Sequence, residues 1–275
     1  MAKPIVALVY DFDKTLCRDD MQNFSFIPAL NMTPNEFWSE TTKLSTDLGM
    51  EKILSYMYLM ILKCREKNIP LTREWLNSLG KSVKFYDGVS TWFKRINAYG
   101  EEKGIQVEHY ILSSGTTEIM EGTSIAKEFK GIYGCEFLYD ENGIAIWPKI
   151  AVNYTVKTQF LYRISKGTLD MNDDSVNLRI EQKRVPFRNI VYLGDGLTDV
   201  PCMAIVHEKG GRSIAVYQKG DEDRAKQLYN DERINYFCPA DYGVNSRLEK
   251  FIKLIFNSVS ATESLLHKEN ALADN

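Results

Sequence analysis

Asp11 and Asp13 close an apolar run at residues 6–10 and stand one residue apart. On an extended chain both carboxylates point the same way. Two like charges that close repel, and both stay ionised only where a cation neutralises them. Three further features sit where elements end or begin: Ser113-Ser114-Gly115, Lys157, and Gly194-Asp195-Gly196-x-Thr198-Asp199. Together they supply four acids, several hydroxyls and one lysine, an excess of negative charge that a bound hard cation relieves. Mg²⁺ fits this inventory, since it takes oxygen ligands and uses one or two carboxylates plus substrate phosphate. The lysine, the hydroxyls and loop N–H groups are then available to the remaining phosphate oxygens.

Features so far apart in sequence converge only if the strands that carry them end on one edge. The run before Asp11 is apolar and short, the pattern of a strand buried on both faces of a parallel sheet. Strand signals at about 106–112, 188–193, 213–217 and 233–238 alternate with helical patterns, which predicts an α/β fold with a doubly wound parallel sheet. Such sheets place ligands at the C-terminal edge. Between the acid pair and the next strand the chain reads as helical. Thr33, Pro34 and Glu36 form a helix start with a capping box, Gly49 a stop, and Thr72 a further cap. The predicted organisation is a core of residues 1–16 and 87–275 with an inserted helical cap at 17–86. A small β-hairpin flap is expected at 131–150, turning at Asn142-Gly143. Residues 171–174 read as an inserted loop, and the polar end from Ser264 to Asn275 is expected to fray.

Composition narrows the partners. The chain has 275 residues, 44% hydrophobic and 26% charged, with a net charge of −3. That balance gives no global basic surface and argues against nucleic-acid binding as the main role. Five scattered cysteines without a C-x-x-C pair argue against a disulfide framework or structural zinc and suit a reducing cytosol. No stretch approaches the roughly 18 apolar residues of a membrane span, and the start leaves no room for a signal peptide, so a cytoplasmic protein without a membrane partner is expected. Gly80-Lys81-Ser82 resembles a P-loop end, but Trp75 stands where its first glycine is required.

With these motifs in this order, the chain resembles the haloacid dehalogenase superfamily over about residues 4–240. Within it the likeness is to the Mg²⁺-dependent phosphatases of the phosphoserine-phosphatase type. The resemblance implies that Asp11 is a metal ligand and the nucleophile that forms an aspartyl-phosphate. It implies that Asp13 protonates the leaving alcohol, activates water and lends its carbonyl to Mg²⁺. Asp195 and Asp199 would complete the metal site, with Asp199 orienting metal-bound water and the lysine. Thr15 and Ser113 would hydrogen-bond in the site, and Lys157 would neutralise Asp11 and the phosphoryl group. Ser114, Gly115 and Asp20 would bind substrate, Asp20 standing where phosphoserine phosphatases usually carry Glu. No arginine among Arg18, Arg65 and Arg73 has the context of their carboxylate-binding arginine. Phe24, Phe26 and Trp38 are candidates for a larger or aromatic leaving group. The expected function is hydrolysis of a small phosphorylated metabolite. The alternatives are a phosphotransferase or mutase of the same superfamily, or a non-catalytic phosphate-ligand binding protein.

Overall fold

The computed structural model describes residues 3–180 and 183–273. Strand β1 (Ile5–Tyr10) is followed by five helices: α1 (Met21–Phe24), α2 (Phe26–Ala29), α3 (Pro34–Leu48), α4 (Lys52–Glu66) and α5 (Arg73–Leu79). Helix α6 (Val89–Glu102) leads to β2 (Gln106–Thr116), α7 (Thr117–Glu121), β3 (Gly131–Tyr139), β4 (Ala145–Ile150) and α8 (Tyr154–Lys166). The chain closes with β5 (Ile190–Gly194), α9 (Val200–Glu208), β6 (Arg212–Tyr217), α10 (Glu222–Asn230), β7 (Tyr236–Pro239) and α11 (Arg247–Ala273).

The seven strands form one sheet in the order β4-β3-β2-β1-β5-β6-β7, parallel except for β4. β1 lies at the centre with residues 6–10 fully buried, which is why its sequence is apolar without alternation. From β1 the chain winds outward through β2 and β3, then returns to the other side for β5, β6 and β7. The topological switch point therefore falls between β1 and β5, where open α/β sheets form their ligand crevice. Tyr10 is level with Ile111 of β2 and Leu193 of β5, so Asp11, Ser113 and Asp195 emerge at nearly the same height. Tyr10 and Tyr192 are one register position apart and so face opposite sides of the sheet. Tyr10 meets Trp92 of α6, and Tyr192 meets Asp199 at the start of α9.

Local signals explain the helices. Thr33 caps α3 with a reciprocal bond to Glu36, Pro34 opens its first turn, and Gly49 ends it at φ 62°. Thr72 caps α5 by accepting the Trp75 N–H, without a reciprocal bond. Helices α1–α5 are entered and left through a narrow neck in which Cys17 bridges Phe85, Arg18 N–H donates to Lys84 O and Tyr86 N–H donates to Leu16 O. At the far side α5 lies against α7 at backbone contact. A Cβ on Gly122 would stand 1.7 Å from Asn77 O, and one on Gly80 would stand 2.3 Å from Ile119 O.

Two regions differ from the expectation. β3 pairs in parallel with β2, so the hairpin turning at Gly143 (φ 75°) continues the main sheet, with β4 as its antiparallel edge. The end of the chain does not fray at Ser264: α11 runs to Ala273, while residues 274 and 275 lie outside the described residues. Residues 264–269 are mostly exposed, so no burial pattern marks them, yet Leu, Lys and Glu are strong helix formers. The inserted loop near 171–174 wraps the buried guanidinium of Arg163, which donates to the carbonyls of Thr168, Asp170, Met171 and Asp173. Among the described residues no helix is long and apolar enough to cross a membrane.

Candidate active site

The C-terminal ends of β1, β2 and β5 border a cavity of about 320 Å³. Asp11, Asp13, Asp20, Ser113, Ser114, Gly115, Lys157 and Asp195 all line it, while Thr15 and Asp199 stand behind the wall. Asp11 follows β1 directly and donates its N–H to Leu193 O at 2.8 Å, which locks it to the neighbouring strand. Lys157, near the start of α8, is fully buried and reaches Asp11 Oδ1 at 2.8 Å and Asp199 Oδ1 at 2.7 Å. Its rivals lie elsewhere: Lys149 pairs with Glu136, and Lys166 holds the carbonyls of Val176 and Leu178. Burial opposes the Lys157 ammonium, but Asp11 and Asp199 outweigh it and hold its pKa above the usual lysine value.

The acids repel one another. Oxygens of Asp11, Asp195 and Asp199 come within 4.8 Å of each other. Burial, then Asp199, push Asp11 up to about 7 despite Lys157. Burial, with Asp11 and Asp199, pushes Asp195 up to about 8. A buried cluster of oxygen donors with this surplus of negative charge suits a hard divalent cation of the Mg²⁺ type, which takes carboxylate oxygens and retains water. Asp199 is more fully hydrogen-bonded than the other two. Oδ1 accepts from Lys157 and from the Tyr192 hydroxyl at 2.7 Å, and Oδ2 accepts from Gly196 N–H at 3.3 Å.

Asp13 is turned away from this cluster. Its Oδ1 accepts the Met21 N–H at 2.8 Å, and burial, Asp20 and Asp11 together raise its pKa well above the usual carboxylate value. The turn between the acids and α1 places Lys14 at φ 57° and pairs it with Asp20 at 2.8 Å. A left-handed non-glycine residue at such a turn is held there by its surroundings.

The β2 end is shaped by close approach. Ser113 Oγ accepts from Gly115 N–H at 3.0 Å, and a Cβ on Gly115 would meet Met21 Cε at 2.0 Å and Asp13 Oδ2 at 3.2 Å. The buried hydroxyls of Ser114 and Thr15 have no hydrogen-bond partner among the described residues, although other atoms of Ser114 line the cavity.

Several residues in or behind the cavity wall were not singled out by motif. Tyr192 appears in sequence only as a tyrosine within an apolar strand. Tyr56 belongs to a Met/Tyr-rich run that mostly packs the helical core, yet its hydroxyl donates to Ser114 O at 2.7 Å. Gln22, Ile53 and Arg224 complete the wall with Trp38. Phe26 does not reach it and is packed on Phe37 and Trp75; Phe24 also packs against the core.

No known family profile matches the chain. An uncharacterized protein of Borreliella burgdorferi is 28% identical over 276 residues, 90% of this chain and 95% of that protein. Three solved structures are similar in fold. A HAD-family hydrolase from Salmonella enterica serovar Typhi has a TM-score of 0.56 and 16% identity, over 87% of this chain and 69% of that one. A phospho-aspartyl intermediate analogue of phosphoserine phosphatase has a TM-score of 0.55 and 14% identity, over 92% and 99%. A probable phosphoserine phosphatase from Vibrio cholerae has a TM-score of 0.60 and 13% identity, over 95% and 67%. At these identities the likeness is one of fold. The sheet order, the acid-bearing strand ends and these neighbours agree: the chain has the haloacid dehalogenase fold in its phosphoserine-phosphatase-like form.

Proposed function

We propose that this protein is a Mg²⁺-dependent phosphomonoester hydrolase that acts on a small phosphorylated metabolite through an aspartyl-phosphate. The observation that carries the reading is the buried Lys157 bridging Asp11 and Asp199, with Asp195 and Asp13 on the same cavity. Asp11 and Asp195, with the Asp13 carbonyl, would hold the Mg²⁺. When bound, the ion screens the carboxylates from the phosphate and stabilises charge on the phosphoryl oxygens.

An Asp11 oxygen attacks phosphorus as the bond to the leaving oxygen breaks, and Asp13 gives its proton to that oxygen. The raised pKa of Asp13 suits a group that must hold a proton near neutrality before giving it up. Water then attacks the phosphorus of the aspartyl-phosphate, Asp13 takes the water's proton, and inorganic phosphate leaves with Asp11 restored. Lys157 neutralises Asp11 and the phosphoryl group, while the Ser113–Gly115 turn lines the phosphoryl pocket, its Gly115 N–H held by Ser113 Oγ. Thr15 supports the loop. Asp199, its oxygens already engaged, orients Lys157 and any water on the ion.

The helical segment 17–86 acts as a cap over the core of 1–16 and 87–275. Closing such a cap excludes water and strengthens the electrostatics within. A cavity of about 320 Å³ lies at the small end of ligand pockets, so the leaving group is small, set between Trp38, Ile53 and Tyr56 on one side and Asp20 and Gln22 on the other. The five free, buried cysteines suit a reducing cytoplasm.

A panel of phosphorylated metabolites, assayed with and without Mg²⁺ and with Asp11→Asn as control, tests the reading. Hydrolysis that needs both the metal and Asp11 is expected. Turnover by Asp11→Asn at the parent rate would refute it.

A further inference from the structure

A cavity larger than the catalytic one lies elsewhere on the molecule. About 770 Å³ in volume, it opens at the other edge of the sheet, where β1 begins at Ile5 and β5 follows Asn189. Five cationic side chains line it, Lys3, Lys183, Arg184, Arg188 and Lys209, against one carboxylate, Glu263. On a chain whose net charge is −3, this is a local concentration of the opposite sign.

Part of that charge is matched. Glu263 accepts from Arg188 at 3.0 Å and from Asn189 at 3.2 Å. Behind the rim, Glu101 pairs with Lys3, and Glu108 pairs with Arg184 and Lys130. Lys183 and Lys209 have no carboxylate partner among the described residues. Both ammonium groups instead stand against the Phe187 ring, at 5.4 and 5.5 Å from its centroid. Among the described residues, Glu101, Glu108 and Glu263 answer Lys3, Arg184 and Arg188 and leave Lys183 and Lys209 unanswered on one concave wall. Like charges gathered there repel, and an anion relieves them.

We propose that this bowl is a second anion site, for a small molecule carrying two or more phosphate groups. Two unmatched lysines require at least a dianion, and the planar guanidinium of Arg188 at the rim offers fork-shaped donors suited to phosphate oxygens. A short concave patch favours a small ligand over a polymer, because extended nucleic acid is gripped by long stripes or grooves. The site is separate from catalysis: β1 and β5 each run from its wall to a catalytic acid, about 20 Å away at the rise of a strand.

Inorganic tripolyphosphate, titrated calorimetrically into the full chain without divalent metal, tests this. It is expected to bind the parent and Asp11→Asn equally, and Lys183→Gln/Lys209→Gln about tenfold more weakly or worse. Lys183→Arg/Lys209→Arg keeps the charge and is expected to bind like the parent, which separates charge from folding. Hydrolysis of an aryl phosphate, read in parallel, is expected to be unchanged in both double variants. Equal binding by the glutamine variant, or loss of binding in Asp11→Asn alone, overturns the proposal. Tighter engagement of the same lysines by a single-stranded oligonucleotide or by anionic phospholipid vesicles overturns it too.

Discussion

The Tyr192 hydroxyl donates to Asp199 Oδ1 at 2.7 Å, the same oxygen that receives Lys157. One carboxylate oxygen thus ties a residue in the middle of β5 to the lysine at the head of α8. Its other oxygen takes the Gly196 N–H, which fixes the turn that carries Asp195. Asp199 is the joint between the strand, the helix and the loop that carries Asp195.

Removing that hydroxyl tests the joint. Tyr192→Phe keeps the ring and leaves Asp199 one donor short, a loss of about 1.5–3 kcal/mol for a hydrogen bond to a charged group. We expect kcat to fall by roughly 5–20-fold with little change in KM, and the unfolding midpoint to drop by a few degrees. An unchanged kcat with a lowered midpoint would leave Tyr192 a purely structural role.

The raised acids make stability depend on pH and metal together. Asp11 near 7 and Asp195 near 8 bind protons in the folded state that the unfolded chain has released. Their contribution is therefore full below about pH 4 and is lost as pH rises through 7 and 8. Each group costs at most about 1.4 kcal/mol per pH unit across that window. In EDTA, Asp11→Asn is expected to remove part of this alkaline loss. Added Mg²⁺ is expected to raise the midpoint more at pH 8 than at pH 5. A metal-induced shift equal at both pH values would contradict this.

His109 titrates with the opposite consequence. Trp92 Nε1–H donates to Tyr10 OH, Tyr10 OH donates to His109 Nδ1 at 3.0 Å, and the Nε2–H donates to Asn97 Oδ1 at 2.8 Å. Burial pushes His109 down to about 3, so the folded ring stays neutral while the unfolded one gains a proton below about 6.5. Its contribution is full above that value and is lost as pH falls toward 3. With Mg²⁺ present, urea stability is expected to fall by about 3 kcal/mol between pH 7 and pH 4. His109→Gln should start lower at pH 7 and fall less steeply; a parallel slope would count against the assignment.

The contact between α5 and α7 leaves no room for a side chain. Gly122→Ala places a Cβ 1.7 Å from Asn77 O, a clash with backbone that no rotamer relieves. A loss of about 2–4 kcal/mol is expected from chemical denaturation. KM should rise more than kcat falls, because α5 belongs to the segment proposed to close over the substrate. Gly143→Ala, at a positive φ with open space around it, is the control: strained backbone, but KM unchanged.

Much was legible in the sequence because it is local. The apolar run before Asp11, the Thr33–Glu36 box, the Gly49 stop and the Asn142-Gly143 turn each depend on neighbours within a few residues, and each forms as its chemistry dictates. Strand–helix alternation set the α/β class, since a parallel strand needs a long crossover before its partner. Tertiary structure decided what distance in sequence hides. Lys157 could be told from Lys149 and Lys166 by position within a likeness, but only folding brings its ammonium between Asp11 and Asp199. Tyr192 and Tyr56 read as core residues until their hydroxyls are placed, because burial gives one apolar signature to a ring that packs and a ring that also donates. The basic bowl draws on Lys3, the segment 183–188 and Lys209, which nothing in a linear pattern joins. The acid pair could be read from two neighbouring letters; the cations that answer it, and those gathered at the far edge, exist as clusters only once β1 and β5 lie side by side.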